Sequence, residues 1–329
     1  MSRISLTLAC WDYDRTQALA EGSIRPEGVD LTYLSLPVEE TFYRMIRHRE
    51  FDIAEMSLSS YVVSLGQDAP FIAIPVFPSR SFRHNGIYTH VDSGLRTPAD
   101  LAGRTVGIAE WQLTANVWIR GMLAEHHGLP VDAVHYRKGG LHDPGREEKA
   151  AVRLPSGIDL RPVGPGETLS ELLLRREIDA IYTPRSPQPF LAGDPRVRRL
   201  FADPRTEEEN YFRATGIFPI MHTVVLRRDV YAARPWLARS LYKAFQEAKT
   251  AAQQRLAETA APYSMIPWAH TEYAAARELM GADFWPYGLP GNETTLTTFL
   301  RYAHEQGLAE RMLSPAELFA PETLDSILV

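Results

Sequence analysis

Cysteine and lysine are scarce in this chain. Of its 329 residues only Cys10 is a cysteine, so an intramolecular disulfide and a CxxC metal or redox motif are excluded. Cys10 ends the apolar run Ile4–Cys10, which predicts a buried structural thiol rather than a nucleophile. The net charge is −6 and no run of basic residues occurs, so nucleic acid is not an expected partner.

Long hydrophobic runs are also missing. No stretch reaches the ~18 apolar residues that a membrane-spanning helix needs. The amino terminus shows no apolar signal-peptide region followed by a small-residue cleavage site. We therefore expect a cytoplasmic protein without a membrane partner.

Familiar cofactor motifs are absent as well. The chain contains no HExxH, HxH, Walker A or GxSxG pattern, and Gly164–Leu169 lacks the third glycine of a dinucleotide fingerprint. We expect no organic cofactor, while a divalent metal held by residues distant in sequence stays open.

The residues that are present indicate a packed α/β protein. Hydrophobic residues make up 45% of the chain and charged residues 23%, as in globular proteins. The length favours two lobes over one core. Apolar strand-like runs alternate with helical patterns, which predicts mostly parallel sheets, and the apolar run Gly216–Arg227 predicts that the chain returns to the first lobe. Such lobes close on a ligand in the cleft between them.

Polar or aromatic turns follow five of the predicted strands. In open α/β sheets, ligands bind outside the carboxyl ends of the strands. These turns are therefore candidate binding segments: Trp11–Asp14, Ser57–Ser60, Pro78–His84, Glu110–Thr114 and Pro184–Arg185.

The turn Pro78–His84 carries two arginines and a histidine. Arg80 and Arg83 can clamp a carboxylate, and His84 can titrate near neutral pH. The alternative is a solvated turn whose arginines cover the lobe surface. Together these residue types predict a small anionic ligand.

The turn Glu110–Thr114 opens a predicted helix. Backbone N–H groups at a helix start attract anions, Thr114 adds a hydroxyl and Trp111 can stack on a flat ring. Glu110 is a candidate acid or base if it is partly buried. The alternative is an ordinary capped helix with Trp111 in the core.

Two further candidates stand alone. Arg185 follows a predicted strand and can bind an anion, or else form a surface ion pair. His222 lies within Gly216–Arg227, where a hydrogen-bonded core histidine competes evenly with a site role.

Six segments resemble the 4,5-dihydroxyphthalate decarboxylase family. The likeness runs nearly end to end and is carried by residues 12–16, 51–61, 82–88, 114–121, 216–222 and 285–288. It implies a type II periplasmic-binding-protein-like fold, with residues 1–92 and 211–329 in lobe I and residues 93–210 in lobe II. It also implies non-oxidative decarboxylation of a hydroxylated aromatic acid, with 4,5-dihydroxyphthalate giving protocatechuate.

This resemblance suggests roles for the candidate residues. Arg80, Arg83 and Arg185 would bind carboxylates, Ser59 and Thr114 would donate hydrogen bonds, and Trp111 would lie against the ring. The acid/base candidates are His84, Glu110 and His222 in that order, with Glu55 and Asp14 in reserve. The alternatives are a solute-binding protein for a small anion and another enzyme on the same scaffold. The exact substrate, any metal requirement and association into a homo-oligomer stay open.

Overall fold

The computed structural model describes residues 3–149 and 152–325. Apolar and β-branched runs form most of its strands. The strands are β1 (Ile4–Cys10), β2 (Val29–Ser35), β3 (Ile53–Ser57), β4 (Phe71–Arg80), β5 (Ile87–His90), β6 (Thr105–Ile108), β7 (His135–Lys138), β8 (Asp159–Pro162), β9 (Ala180–Tyr182), β10 (Val197–Arg199) and β11 (Ile220–Arg227).

Helices occupy much of the remaining chain, and several begin or end as local sequence predicts. The helix Pro204–Thr215, for example, begins after Asp203, whose side chain accepts from Thr206 N–H, and ends at the left-handed Gly216. The helices are α1 (Gln17–Ala20), α2 (Val38–His48), α3 (Leu58–Leu65), α4 (Thr114–His127), α5 (Leu169–Leu174), α6 (Gln188–Leu191), α7 (Pro204–Thr215), α8 (Arg228–Ala233), α9 (Trp236–Ala257), α10 (Ala269–Met280) and α11 (Glu293–Glu305).

The first sheet is mixed, with strand order β2-β1-β3-β11-β4. Strand β1 pairs in parallel with both β2 and β3, as the alternating pattern predicts. The late strand β11 lies antiparallel between β3 and β4. The apolar run predicted to return to the first lobe therefore completes this sheet. Because β11 is antiparallel to its neighbours, the first sheet is less parallel than the sequence predicts.

The second sheet has the order β10-β5-β9-β6-β7-β8. Strands β9, β6, β7 and β8 run parallel to one another, whereas β5 and β10 add antiparallel pairs. A buried apolar cluster that includes Leu169, Leu173 and Ile181 packs one part of this sheet against α5. Burial of such side chains contributes about 1.5–3 kcal/mol each.

The chain divides into two compact units, each with its own sheet. The first unit comprises the chain up to Arg80, Ile220–Thr297 and the chain from Leu313, and the second comprises Ser81–Pro219 and Thr298–Met312. The sequence placed the boundaries after residues 92 and 210. In the structure β5 pairs with β9 and β10, so its residues pack with the second unit.

Strand β4 is longer than its residue types predict. The polar turn expected over Pro78–His84 is in part strand, because β4 continues to Arg80. Ser79 and Arg80 pair with β11, opposite His222 and Ile220. A neighbouring strand satisfies their backbone groups, and this pairing outweighs the local preference of Pro-Ser-Arg for a turn.

Within residues 3–149 and 152–325, no helix combines the length and apolar composition that crossing a bilayer requires.

Candidate active site

Glu55 and His222 meet on one face of the first sheet. His222 on β11 lies opposite Ser57 on β3, and Glu55 lies opposite Val224, so Glu55 and His222 are diagonal neighbours on adjacent strands. His222 Nδ1 is 2.6 Å from Glu55 Oε1. The strand register therefore joins two side chains that are 167 residues apart in sequence.

Glu55 is fully enclosed and is the acceptor for several groups. The Tyr13 hydroxyl donates to its Oε1 at 2.7 Å, and the Trp11 N–H donates to its Oε2 at 3.0 Å. The Cys10 thiol lies 3.5 Å from the same Oε2. We call Cys10, Trp11, Tyr13, Glu55 and His222 the Glu55 cluster.

The Glu55 cluster holds an ionised carboxylate. Burial opposes ionisation, but His222, the Trp11 N–H and the Tyr13 hydroxyl outweigh it and lower the pKa of Glu55. Burial and the Glu55 charge raise the pKa values of Tyr13 and Cys10, so both stay protonated. The Glu55 cluster thus carries a negative charge next to the imidazole of His222.

The carboxylate also sets the tautomer of His222. An ionised Glu55 can only accept, so Nδ1 carries the hydrogen and Nε2 is left to exchange a proton. The Nε2 atom forms no hydrogen bond within the described residues, and the side chain keeps 17% of its surface exposed. Phe42 packs against the imidazole edge-on at 4.9 Å between centroids. This arrangement suits general acid/base chemistry.

Asp14 pairs with Arg15 rather than with a residue of the Glu55 cluster. Its Oδ1 accepts from Arg15 Nη1 at 2.9 Å. The Arg15 guanidinium lies 4.2 Å from the centroid of Tyr13 and 4.2 Å from that of Trp285. A cation held between two rings therefore lies next to the Glu55 cluster.

Arg80 and Ser59 are both buried in the first unit. Arg80 Nη2 donates to the Pro286 carbonyl at 2.7 Å and also to Asn292. Burial lowers the pKa of Arg80 to about 9. The Ser59 hydroxyl lies 3.0 Å from that of Ser57. These contacts give Arg80 a structural task, tying β4 to the turn before α11.

His84, the preferred acid/base candidate, lies in an aromatic cage of the second unit. Its ring centroid is 5.4 Å from that of Phe201, 5.3 Å from that of Tyr211 and 6.2 Å from that of His127. Burial, with a smaller effect of the neighbouring histidines, lowers its pKa to about 3. The imidazole is therefore neutral near pH 7, which disfavours it as a proton donor.

Glu110 and Trp111 are buried beneath the segment that contains Arg146 and Lys149. Glu110 Oε1 is 2.7 Å from Arg146 Nη2 and 3.2 Å from Lys149 Nζ. Trp111 is only 1% exposed, and the Arg120 guanidinium covers its ring at 3.8 Å. Its indole N–H donates to the Gln306 carbonyl. The contacts favour the core alternative for Trp111.

The remaining predicted residues also belong to the second unit. Arg83 is partly buried, and burial lowers its pKa to about 10. Thr114 is buried at the start of α4, and Arg185 is exposed beyond β9. Glu55 and His222 are the predicted acid/base candidates that a hydrogen bond joins in the structure.

Comparison with known proteins identifies the family. The chain is 42% identical over 327 residues to a 4,5-dihydroxyphthalate decarboxylase of Comamonas testosteroni, covering 99% of both chains. The chain belongs to the 4,5-dihydroxyphthalate decarboxylase family. A second member, from Pseudomonas putida, is 41% identical over 215 residues, which is 65% of this chain and 83% of the relative. The predicted family is thus confirmed. The predicted enzyme class, a decarboxylase, is confirmed with it.

Solved structures show the fold of this decarboxylase family member. The aliphatic sulphonate binding protein SsuA of Escherichia coli matches with a TM-score of 0.56 and 12% identity, over 98% of this chain and 99% of that protein. The predicted periplasmic-binding-protein-like fold is therefore confirmed. No protein-family model matches the chain.

Sequence reasoning missed three residues around the Glu55 cluster: Tyr13, Arg15 and Trp285. A signal for Tyr13 existed, because it lies in the strand-end turn Trp11–Asp14, and Arg15 follows that turn directly. Trp285 lies in the segment 285–288 that carries the family resemblance, but nothing local joins it to Arg15, which it reaches only through the packing of the first unit.

Among residues 3–149 and 152–325, no group of three or more His, Cys, Asp or Glu side chains is arranged to hold a metal ion.

Proposed function

We propose that this protein removes one carboxylate from 4,5-dihydroxyphthalate and releases carbon dioxide and protocatechuate. Membership of the decarboxylase family supports the reaction and the substrate. The observation that carries the chemistry is the hydrogen bond between His222 and the enclosed carboxylate of Glu55.

The substrate itself supplies the electron sink. Each carboxylate of 4,5-dihydroxyphthalate is para to a hydroxyl, so protonation of the carboxylate-bearing carbon gives a dienone-like intermediate as that hydroxyl loses its proton. The C–C bond to the carboxylate then breaks, its electron pair returns to the ring and carbon dioxide leaves. The protein must deliver one proton to carbon, accept one from oxygen, and return that proton to the oxygen as the ring becomes aromatic again.

His222 is the residue best placed to deliver that proton. Its Nδ1 is held by Glu55 and its Nε2 faces away from that bond, so the imidazole has a fixed orientation. The negative charge of Glu55 stabilises the imidazolium that must form before proton donation, as a carboxylate does beside a catalytic histidine. Glu55 acts through His222 and is a positioning residue.

An assay of the purified protein tests this proposal. Incubation with 4,5-dihydroxyphthalate should yield protocatechuate and carbon dioxide in equal amounts. The variant His222→Asn should lose about 10²–10⁴-fold in kcat, the usual contribution of a general acid. Glu55→Gln should lose less and shift the pH profile of kcat.

His135→Asn is the matched control. His135 also pairs its Nδ1 with a carboxylate, Asp159 Oδ2 at 2.9 Å, but its side chain is half exposed on β7. This variant should keep the kcat of the wild type. Unchanged kcat in His222→Asn would overturn the assigned role, and tight binding without turnover would favour a solute-binding protein instead.

The cofactor and the location belong to the same proposal. The reaction as written needs no organic cofactor, so kcat should be unchanged after exhaustive dialysis, and parallel assays with EDTA and with added divalent metal decide whether a metal takes part. Cell fractionation should recover the activity with cytoplasmic markers. Loss of activity on dialysis, restored by an organic cofactor, would contradict the first expectation.

A further inference from the structure

We propose that Arg15 anchors the carboxylate that the substrate retains, and that Trp285 positions Arg15 for this task. The identity of the substrate rests on the proposed function. The anion site itself rests on contacts within the first unit.

Arg15 is held in one plane by its neighbours. Its guanidinium carbon lies 4.2 Å from the ring centroids of both Tyr13 and Trp285. Its Nε donates to the Pro78 carbonyl at 2.6 Å. A guanidinium fixed in this way loses little freedom when it binds a carboxylate, so binding is tighter than for a mobile side chain.

Part of this guanidinium is available to a ligand. Nη1 donates to Asp14, but Nη2 forms no hydrogen bond within the described residues. The Arg15 side chain is 17% exposed and that of Asp14 is 37% exposed. Because Asp14 is well solvated, it offsets the charge of Arg15 only in part. The open Nη2 donors match a carboxylate oxygen pair.

The location of Arg15 fits the proposed chemistry. The Tyr13 ring that contacts Arg15 carries the hydroxyl that donates to Glu55 Oε1, and Glu55 holds His222. One aromatic ring thus separates the guanidinium from the Glu55–His222 pair. A diacid with carboxylates on neighbouring ring carbons can bind Arg15 through one carboxylate. The ring carbon that carries the other carboxylate then faces His222.

Trp285 is itself fixed from two sides. Its indole N–H donates to the Phe77 carbonyl at 2.8 Å, and its own carbonyl accepts from Lys249 Nζ at 3.1 Å. Arg80 holds the next residue, Pro286, through its carbonyl. These ties keep the indole face against Arg15.

Calorimetric titration with phthalate tests the anchor without turnover, because phthalate is a diacid without the hydroxyls that decarboxylation needs. Arg15→Met should raise the Kd of phthalate about 10- to 100-fold, the effect of losing charge-assisted hydrogen bonds. Arg25→Met is the control, since Arg25 is exposed and its Nε also donates to a carbonyl, that of Gly22 at 3.0 Å. It should bind phthalate as the wild type does.

Two further variants separate anchoring from folding. Arg15→Lys keeps the positive charge but loses the forked guanidinium. It should raise the Kd of phthalate by a smaller factor than Arg15→Met does. Trp285→Leu should raise KM for 4,5-dihydroxyphthalate while changing kcat little, which general unfolding would not do. Inhibition by catechol, which has no carboxylate, should be the same in wild type and variants.

Each outcome decides the matter. An unchanged phthalate Kd in Arg15→Met and Arg15→Lys, or no phthalate binding by the wild type, overturns the anchor. Arg15-dependent phthalate binding without turnover of 4,5-dihydroxyphthalate supports the anchor and refutes the proposed decarboxylation.

Discussion

Glu55 shows how single residues acquire chemistry in this protein. A carboxylate on a central strand of the first sheet would be costly if unpaired, yet this one is fully enclosed. Its hydrogen bonds with Tyr13, Trp11 and His222 compensate for the lost hydration. The hydrogen bond with Glu55 orients His222, so one arrangement serves both stability and the proposed proton transfer.

The lowered pKa of Glu55 predicts a loss of stability in acid. In the unfolded chain this carboxyl takes up its proton near its ordinary pKa of 4.5, whereas in the folded protein it does so at lower pH. Its stabilising effect is therefore complete above about pH 4.5 and is lost as pH falls towards the folded-state pKa. Urea denaturation between pH 6 and 3 should show a smaller loss of unfolding free energy in Glu55→Gln than in wild type. Equal losses in both proteins would contradict this prediction.

At this scale, sequence reasoning named both residues that the structure joins by a hydrogen bond but ranked other residues above them. Glu55 and His222 were both named, yet His84 and Glu110 stood ahead of them because they follow strands directly. Strand ends can be read from local patterns, but the pairing of β3 with β11 cannot. That pairing is what joins Glu55 to His222.

Among the elements, the turn between α10 and α11 depends on two buried cations. Lys249 on α9 is 2% exposed and binds both oxygens of Asp283, at 3.0 and 2.8 Å. Arg80 on β4 binds the same turn at Pro286 and Asn292. A turn without regular backbone pairing is thereby tied to a helix and to a strand.

Replacement of Lys249 should loosen this turn. Lys249→Met keeps the alkyl stem but removes three hydrogen bonds, so we expect a loss of about 1–3 kcal/mol in unfolding free energy. A rise in KM through Trp285 should accompany it. Lys243→Met on the same helix is the control, because its ion pair with Glu27 is exposed and should contribute little. Comparable losses in the two variants would argue against the bracing role.

Most elements could be predicted from periodicity, and the exceptions have a physical cause. The helical pattern over Pro235–Glu258 predicts one long helix, and α9 spans Trp236–Ala257. The turn residues that begin at Pro78 predict a strand that ends at Phe77, but β4 reaches Arg80 because β11 supplies its hydrogen bonds. Strand β7 was not predicted, since its residues His135–Lys138 are mostly polar and become a strand by pairing with β6 and β8.

The whole molecule should perform one decarboxylation and then stop. Protocatechuate has a single carboxylate, and if Arg15 holds it no carboxylate faces His222. Prolonged incubation of wild-type protein with protocatechuate should therefore yield no catechol by chromatography, while a parallel sample converts 4,5-dihydroxyphthalate. Accumulation of catechol at a comparable rate would contradict this reasoning.

The sequence by itself determined the α/β class, most strands and helices, and the family, because these depend on local patterns and on matches along the chain. It also determined that carboxylate-binding and proton-transferring residue types follow the strands. Only the tertiary structure decided which of them work together. Strand order and register joined Glu55 to His222, and side-chain packing placed Arg15 between Tyr13 and Trp285. Contacts between residues far apart in sequence leave no periodic trace in it, so they appear only once the chain has folded.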